Sequence, residues 1–173
     1  MSKPTWNRRS FLKSTGAAVC ALPVIVPRDV LASPGRAGAN ARIGVGAIGI
    51  GHRASLLLEQ LPEDARIVAL AECNLPRAEA FQQKKQAPWP IYQDYRKMIE
   101  RNDVDAVVVA TQAFQRVLPS IHACQAGKDV YAEKPLTLYV QEGRVLVDAV
   151  RKYERVFQVG TQQRSMEMNR LAC

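Results

Sequence analysis

From residue 42 onward, short and nearly continuous apolar runs alternate with longer stretches in which apolar residues recur at helical spacing. The short runs are RIGVGAI (42–48), RIVALAE (66–72), PIY (90–92), DAVVVAT (105–111), DVYAE (129–133) and RVFQVG (155–160). Runs rich in Val and Ile, with no polar face, predict strands buried on both sides of a sheet. The stretches between them predict helices over 52–61, 76–86, 94–101, 117–126 and 140–153. Pro76 suits a first helical turn, Asp94 a helix start and Gly127 a helix end. Strand and helix in strict alternation predict an α/β fold, with a parallel sheet of about six strands covered on both faces.

The amino-terminal stretch has a different character. RRSFLK (8–13) precedes the apolar run AAVCALPVIV (17–26), which Pro23 interrupts. A helix crossing a bilayer needs about 20 apolar residues, so this run is no stable membrane anchor. A basic start, a short apolar core and small residues after it make an export signal. The paired Arg8 and Arg9 resemble the twin-arginine motif, an address read by a receptor. Cleavage after Ala32 and cleavage after residues 37–39 both fit. The expected organisation is therefore a signal and linker over 1–39 and one domain over 40–165. The expected location is periplasmic or otherwise exported, with the twin-arginine machinery as a partner.

The leader also changes the meaning of the charge. Six of its residues are Lys or Arg against one acid, Asp29, so five of the eight net positive charges lie there. The rest of the chain is only mildly basic, and no nucleic-acid partner is expected. Beyond Cys20 in the leader, the cysteines are Cys73, Cys124 and Cys173, an odd number without C-x-x-C spacing, and there are two histidines, His52 and His122. This favours neither a disulfide framework nor a metal site. Cys73 and Cys124 are expected as small buried apolar residues.

The first constellation with chemistry is GAIGIGHRA, 46–54, where the first strand ends. Gly44-Gly46-Gly49 and Gly49-Gly51-Ala54 both fit a dinucleotide fingerprint. The glycines must lie in the turn between strand and helix, where backbone can approach a pyrophosphate and a helix amino terminus can face it. Gly44 and Gly46 fall inside the predicted strand, which selects the second register. Glu72 ends the second strand 21 residues after Gly51, where an acid is expected to meet the ribose hydroxyls. Its carboxylate would repel a 2′-phosphate, which favours NAD while leaving NADP open. The fold is thus expected to be a Rossmann-type doubly wound sheet.

The second is AGKDVYAEKPLT, 126–137. A charged pair at the carboxyl end of a buried parallel strand lies on the edge where open α/β sheets bind ligands. Lys134 is the candidate for an ionisable group near a nicotinamide, where it would stabilise negative charge on a substrate oxygen.

Together GIGHRA, VALAECNLPRAEAF, DAVVVAT, CQAGKDVYAEKPLT and VFQVGTQQRS resemble the amino-terminal half of the Gfo/Idh/MocA oxidoreductases, the glucose-fructose oxidoreductase and inositol dehydrogenase family. The resemblance covers about residues 42–165, and Glu133-Lys134-Pro135 is its most diagnostic part. It implies that the turn Gly49, Ile50, Gly51, His52, Arg53 and Ala54 binds the cofactor together with Glu72. It also implies Thr111 and Gln112 at the neighbouring strand edge, and Glu133 and Lys134 near the nicotinamide, with Lys134 serving catalysis or cofactor positioning. Gln162 is expected near the sugar end.

Departures from the family pattern bear on substrate. Gln112 stands where the family often has proline, and Phe114 and Arg116 where histidines are common. Arg116 is expected either to bind an acidic group or to be a solvated charge at a helix start. The family continues into a second α/β domain, which the resemblance leads one to expect missing here, and residues 166–173 are expected as its truncated start or as a short helical tail. The resemblance implies an exported NAD(P)-dependent oxidoreductase acting on a sugar, cyclitol or related polyol, with a tightly held, recycled cofactor, and a homo-oligomer if full length. A dinucleotide-binding module without catalysis of its own and an NAD-dependent glycosidase are the alternatives.

Overall fold

The computed structural model describes Gly38 and residues 41–171. The chain divides into units 1–40 and 41–173, and the architecture that follows is that of the second. The expected twin arginines, apolar core and cleavage bonds lie outside the described residues.

Six strands form one parallel sheet: β1 (Ile43–Ile48), β2 (Ala65–Ala71), β3 (Ile91–Tyr92), β4 (Ala106–Val109), β5 (Asp129–Glu133) and β6 (Phe157–Gly160). Their order across the sheet is β3-β2-β1-β4-β5-β6. The connecting helices are α1 (His52–Glu59), α2 (Leu75–Lys85), α3 (Tyr95–Ile99), α4 (Val117–Gln125) and α5 (Val140–Lys152), and a 3-10 turn, Ala113–Gln115, precedes α4. After β6 come α6 (Gln162–Ser165) and α7 (Glu167–Leu171), so most of 162–171 is helical. This is the doubly wound Rossmann order, and its direction reverses between β1 and β4, where such sheets bind ligands.

Elements end where their partners or their chemistry stop them. Ile48 pairs with Val109 at the last rung between β1 and β4, so β4 ends short of Thr111 and leaves it in the loop beyond. Helix α1 stops at Glu59, two residues before Leu61, which precedes Pro62 and is thereby disfavoured from helical backbone. Asp94 caps α3, its side chain accepting the Arg96 backbone N–H at 3.0 Å. Gly127 closes α4 with φ of +76°.

Within each apolar run the side chains alternate between two buried faces. Val107 and Val109 join Met98, Ile99, Cys124 and Val130 on one face. Val108 joins Val45, Ala47, Leu58, Leu70 and Phe81 on the other. Each fully buried aliphatic side chain contributes about 2 kcal/mol. The two cores hold the strand ends in register, and the loops at the carboxyl edge inherit their positions from that rigid frame.

Candidate functional site

A cleft of about 1020 Å³ opens at the carboxyl ends of β1, β2, β4 and β5, beside the reversal of strand order. Of the residues expected at the site, Gly49, Gly51, His52, Arg53, Glu72, Thr111, Gln112, Glu133 and Lys134 line it. Three others do not. Ile50 turns its side chain into the core, Ala54 is fully buried where α1 meets the sheet, and Gln162 is exposed on α6.

The two turn glycines differ in what requires them. Gly49 has φ of +84°, and a Cβ there would come within 3.0 Å of Thr111 Cγ2 and 3.1 Å of its backbone nitrogen. Both the left-handed backbone and the close approach of the loop after β4 exclude a side chain. A Cβ on Gly51, which lines the cleft, would meet nothing within 4 Å, so the protein itself leaves open space there. Gly51 caps α1 without a side-chain hydrogen bond. The first-turn N–H groups of α1 have no partner within the helix, and they carry the positive end of its dipole. Gly44 and Gly46 lie inside β1, whereas Gly49 and Gly51 lie in the turn and Ala54 in the first turn of α1.

Glu72 is 5% exposed, with both carboxylate oxygens engaged and acceptor capacity left over. Its Oε2 accepts the Ile50 backbone N–H at 2.7 Å, and Oε1 accepts the Asn74 N–H at 3.0 Å and the Cys73 thiol at 3.3 Å. Arg77 Nη1 stands 3.7 Å from Oε2. Burial alone would raise the carboxyl's pKa, but these hydrogen bonds and the Arg77 charge outweigh it and hold the group below its ordinary range. Glu72 is therefore an anion that both anchors the glycine turn and faces the cleft. Cys73 departs from expectation. It is exposed because it leaves β2 at the cleft mouth, whereas Cys124 is fully buried and burial pushes its thiol up.

At the other end, Glu133 is 2% exposed, and Oε1 accepts Arg53 Nε at 2.7 Å while Oε2 accepts the Lys134 backbone N–H at 3.0 Å. Arg53 on α1 thus holds the end of β5, and the Lys134 side chain remains exposed on the cleft wall. Arg116 is neither a solvated charge nor free for an acidic ligand. It is buried, donating from its two terminal nitrogens to the carbonyls of Thr111 and Pro135. Sequence reasoning passed over Arg77, Tyr95 and Leu118, which also line the cleft. The position of Arg77 in the first turn of α2, five residues after Glu72, was the available signal for it.

A dinucleotide needs backbone donors for its pyrophosphate, an acid for a ribose and a donor at its nicotinamide end. Gly51 and the start of α1 would supply the first, Glu72 the second and Lys134 the third, all on the lining of one cleft. Thr111 Oγ1 is buried without a hydrogen-bond partner among the described residues, which leaves one more group for a bound molecule. The residues present fit the cofactor.

The family model described as "Oxidoreductase family, NAD-binding Rossmann fold" matches residues 41–161. An inositol 2-dehydrogenase of Paracoccus denitrificans is 32% identical over 70% of this chain and 36% of its own length. A glycosyl hydrolase family 109 protein of Shewanella putrefaciens is 27% identical over 86% of this chain and 38% of its own. Among solved structures, a 3-ketoreductase from Actinomadura kijaniata in complex with TDP-benzene and NADP superposes with a TM-score of 0.68 at 29% identity, over 76% of this chain and 42% of its own. The chain spans little more than a third of the length of the curated relatives it matches. With its strand order, fingerprint turn and Glu72, it belongs to the Gfo/Idh/MocA oxidoreductase family, of which it carries the NAD-binding Rossmann fold.

Proposed function

We propose that this chain is the cofactor-binding part of an exported oxidoreductase acting on a secondary alcohol carbon of a sugar, cyclitol or related polyol. The observation that carries the reading is the convergence of the Gly49-Gly51 turn, Glu72 and Lys134 on one cleft. The α1 amino terminus holds the pyrophosphate, and Glu72 accepts hydroxyl hydrogens of the adenosine ribose. The nicotinamide, when bound, supplies the hydride acceptor or donor. Lys134 donates to the substrate oxygen and stabilises negative charge developing there, in a site whose wall is fixed by Arg53 and Glu133. The exposed Phe114 and Leu118 beside it offer an apolar face to the carbon skeleton. A polyol substrate agrees with the name of the inositol dehydrogenase relative.

The export half rests on the leader. The match to the family 109 glycosyl hydrolase takes in more of the chain than residues 41–173 amount to, so it runs into the leader, which the inositol dehydrogenase match is short enough to exclude. That extent favours a second reading, NAD-dependent glycoside cleavage by transient oxidation with the cofactor recycled in place. Both readings place the same residues at the cofactor. Assembly as a homo-oligomer belongs to the full-length form of either.

Native mass spectrometry of the protein isolated from its own cell envelope tests the proposal. A mass beginning near residues 33–40 with dinucleotide retained after dialysis supports export with a held cofactor. A mass that includes residues 1–39, or one without nucleotide, contradicts it. Consumption of added NAD with a released keto product favours the oxidoreductase; glycoside cleavage without net NADH favours the second reading.

A further inference from the structure

We infer that Arg116 is a positioning residue for Lys134, tying the segment 133–135 to the end of β4. The inference rests on the reading that Lys134 meets the nicotinamide end of the cofactor. Arg116 sits at the start of α4 and is 5% exposed. One terminal nitrogen donates to the carbonyl of Thr111, just past β4, and the other to the carbonyl of Pro135, just past β5. Its Nε is buried without a hydrogen-bond partner, and among the described residues Arg116 forms no ion pair within 4.0 Å. Burial accordingly pulls the guanidinium's pKa down, with the nearby Glu133 charge opposing it.

A buried cation whose fork is spent on two main-chain carbonyls gains little of the attraction that an ion pair supplies, so stability alone accounts poorly for it. What the arrangement does supply is a fixed span between two loops. The guanidinium is planar and its two terminal nitrogens point along separate directions, so one side chain bridges both carbonyls at once. A lysine places a single ammonium and cannot hold both in the same geometry. On the opposite side Arg53 holds Glu133 at 2.7 Å. Lys134 is thus flanked by two restrained residues, each held by an arginine at the start of a different helix, and only its own side chain is left to reach the ligand.

The test compares NADH with ADP-ribose, which lacks the nicotinamide, on the chain and on Arg116→Lys, Arg116→Gln and Lys134→Ala, by titration calorimetry. Wild type binds NADH about tenfold more tightly than ADP-ribose; in Arg116→Lys and Arg116→Gln that advantage shrinks towards nothing while the ADP-ribose affinity stays within about twofold. In a Lys134→Ala background, Arg116→Lys then has no further effect on NADH. Arg116→Ala, if folded, regains its NADH advantage in millimolar methylguanidine and not in methylammonium. Equal loss of both ligands, an unchanged NADH advantage, or an additive double variant overturns the inference. Wild type that binds neither ligand removes the cofactor reading itself, and the inference with it.

Discussion

The carboxylate of Glu72, at the end of β2, accepts the backbone N–H of Ile50 at 2.7 Å, in the turn that follows β1. The acid assigned to the ribose is therefore also the anchor of the glycine turn assigned to the pyrophosphate. Binding and local stability meet in one side chain, and they can be separated by pH and by substitution.

Because hydrogen bonds hold the folded carboxyl of Glu72 below its ordinary value of 4.5, its contribution to stability is fully present above that value. It is lost as pH falls through the lower folded value. Glu72→Gln removes the charge-assisted bonds, so at pH 7 it should cost about 2 kcal/mol. The difference between wild type and variant should shrink as pH drops below 4.5. Urea unfolding of both proteins between pH 7 and pH 3 measures this. A difference that stays constant across the range would show that the carboxylate's charge plays no part.

Gly49 and Gly51 should respond differently to alanine. At Gly49 the left-handed backbone and the 3.0 Å approach to Thr111 Cγ2 both penalise a Cβ, and a loss of 1–3 kcal/mol in stability is expected, roughly. At Gly51 a Cβ meets open space, so stability should stay within about 0.5 kcal/mol. A bulkier Gly51→Val should still fold, with NADH affinity down by about tenfold or more, since the lost room is the ligand's. Thermal melts paired with NADH titration distinguish the two sites.

Cofactor preference should follow the Glu72–Arg77 pair. Glu72 repels a 2′-phosphate, and Arg77 Nη1, 3.7 Å from its Oε2, partly offsets that repulsion. Wild type should bind NADH more tightly than NADPH. Glu72→Ser should narrow the ratio by about tenfold, and Arg77→Ala should widen it. Competition titrations with both reduced cofactors give the ratios directly.

Removing one buried side chain tests the frame itself. Leu70, on β2, is fully buried in the cluster that holds Leu58 and Phe81, and Leu70→Ala should cost about 2–5 kcal/mol. Guanidinium unfolding reads the loss, and an effect below about 1 kcal/mol would show a core that repacks freely.

The sheet was legible because buried parallel strands leave apolar runs rich in Val and Ile, and DAVVVAT at 105–111 is such a run. Gly49, Gly51 and Glu72 were legible because their spacing is a consequence of the strand-turn-helix path. Arg116 was not, since a guanidinium at a helix start reads as solvated until the loop carrying Pro135 is folded over it. Cys73 was misjudged for a related reason: the apolar run ends at Ala71, two residues before it, and β2 delivers it to the cleft mouth rather than the core. Ile50 and Ala54 belong to the fingerprint by position, yet their side chains serve packing, a difference that periodicity does not reveal.

Titration of the purified chain with NADH, followed by the nicotinamide fluorescence, tests the central claim most directly. The cleft geometry predicts saturable one-to-one binding in the micromolar range, competed by ADP-ribose and weakened in Gly51→Val. Absence of saturation up to millimolar NADH, with the chain folded by circular dichroism, would contradict the assignment of the cleft to a dinucleotide.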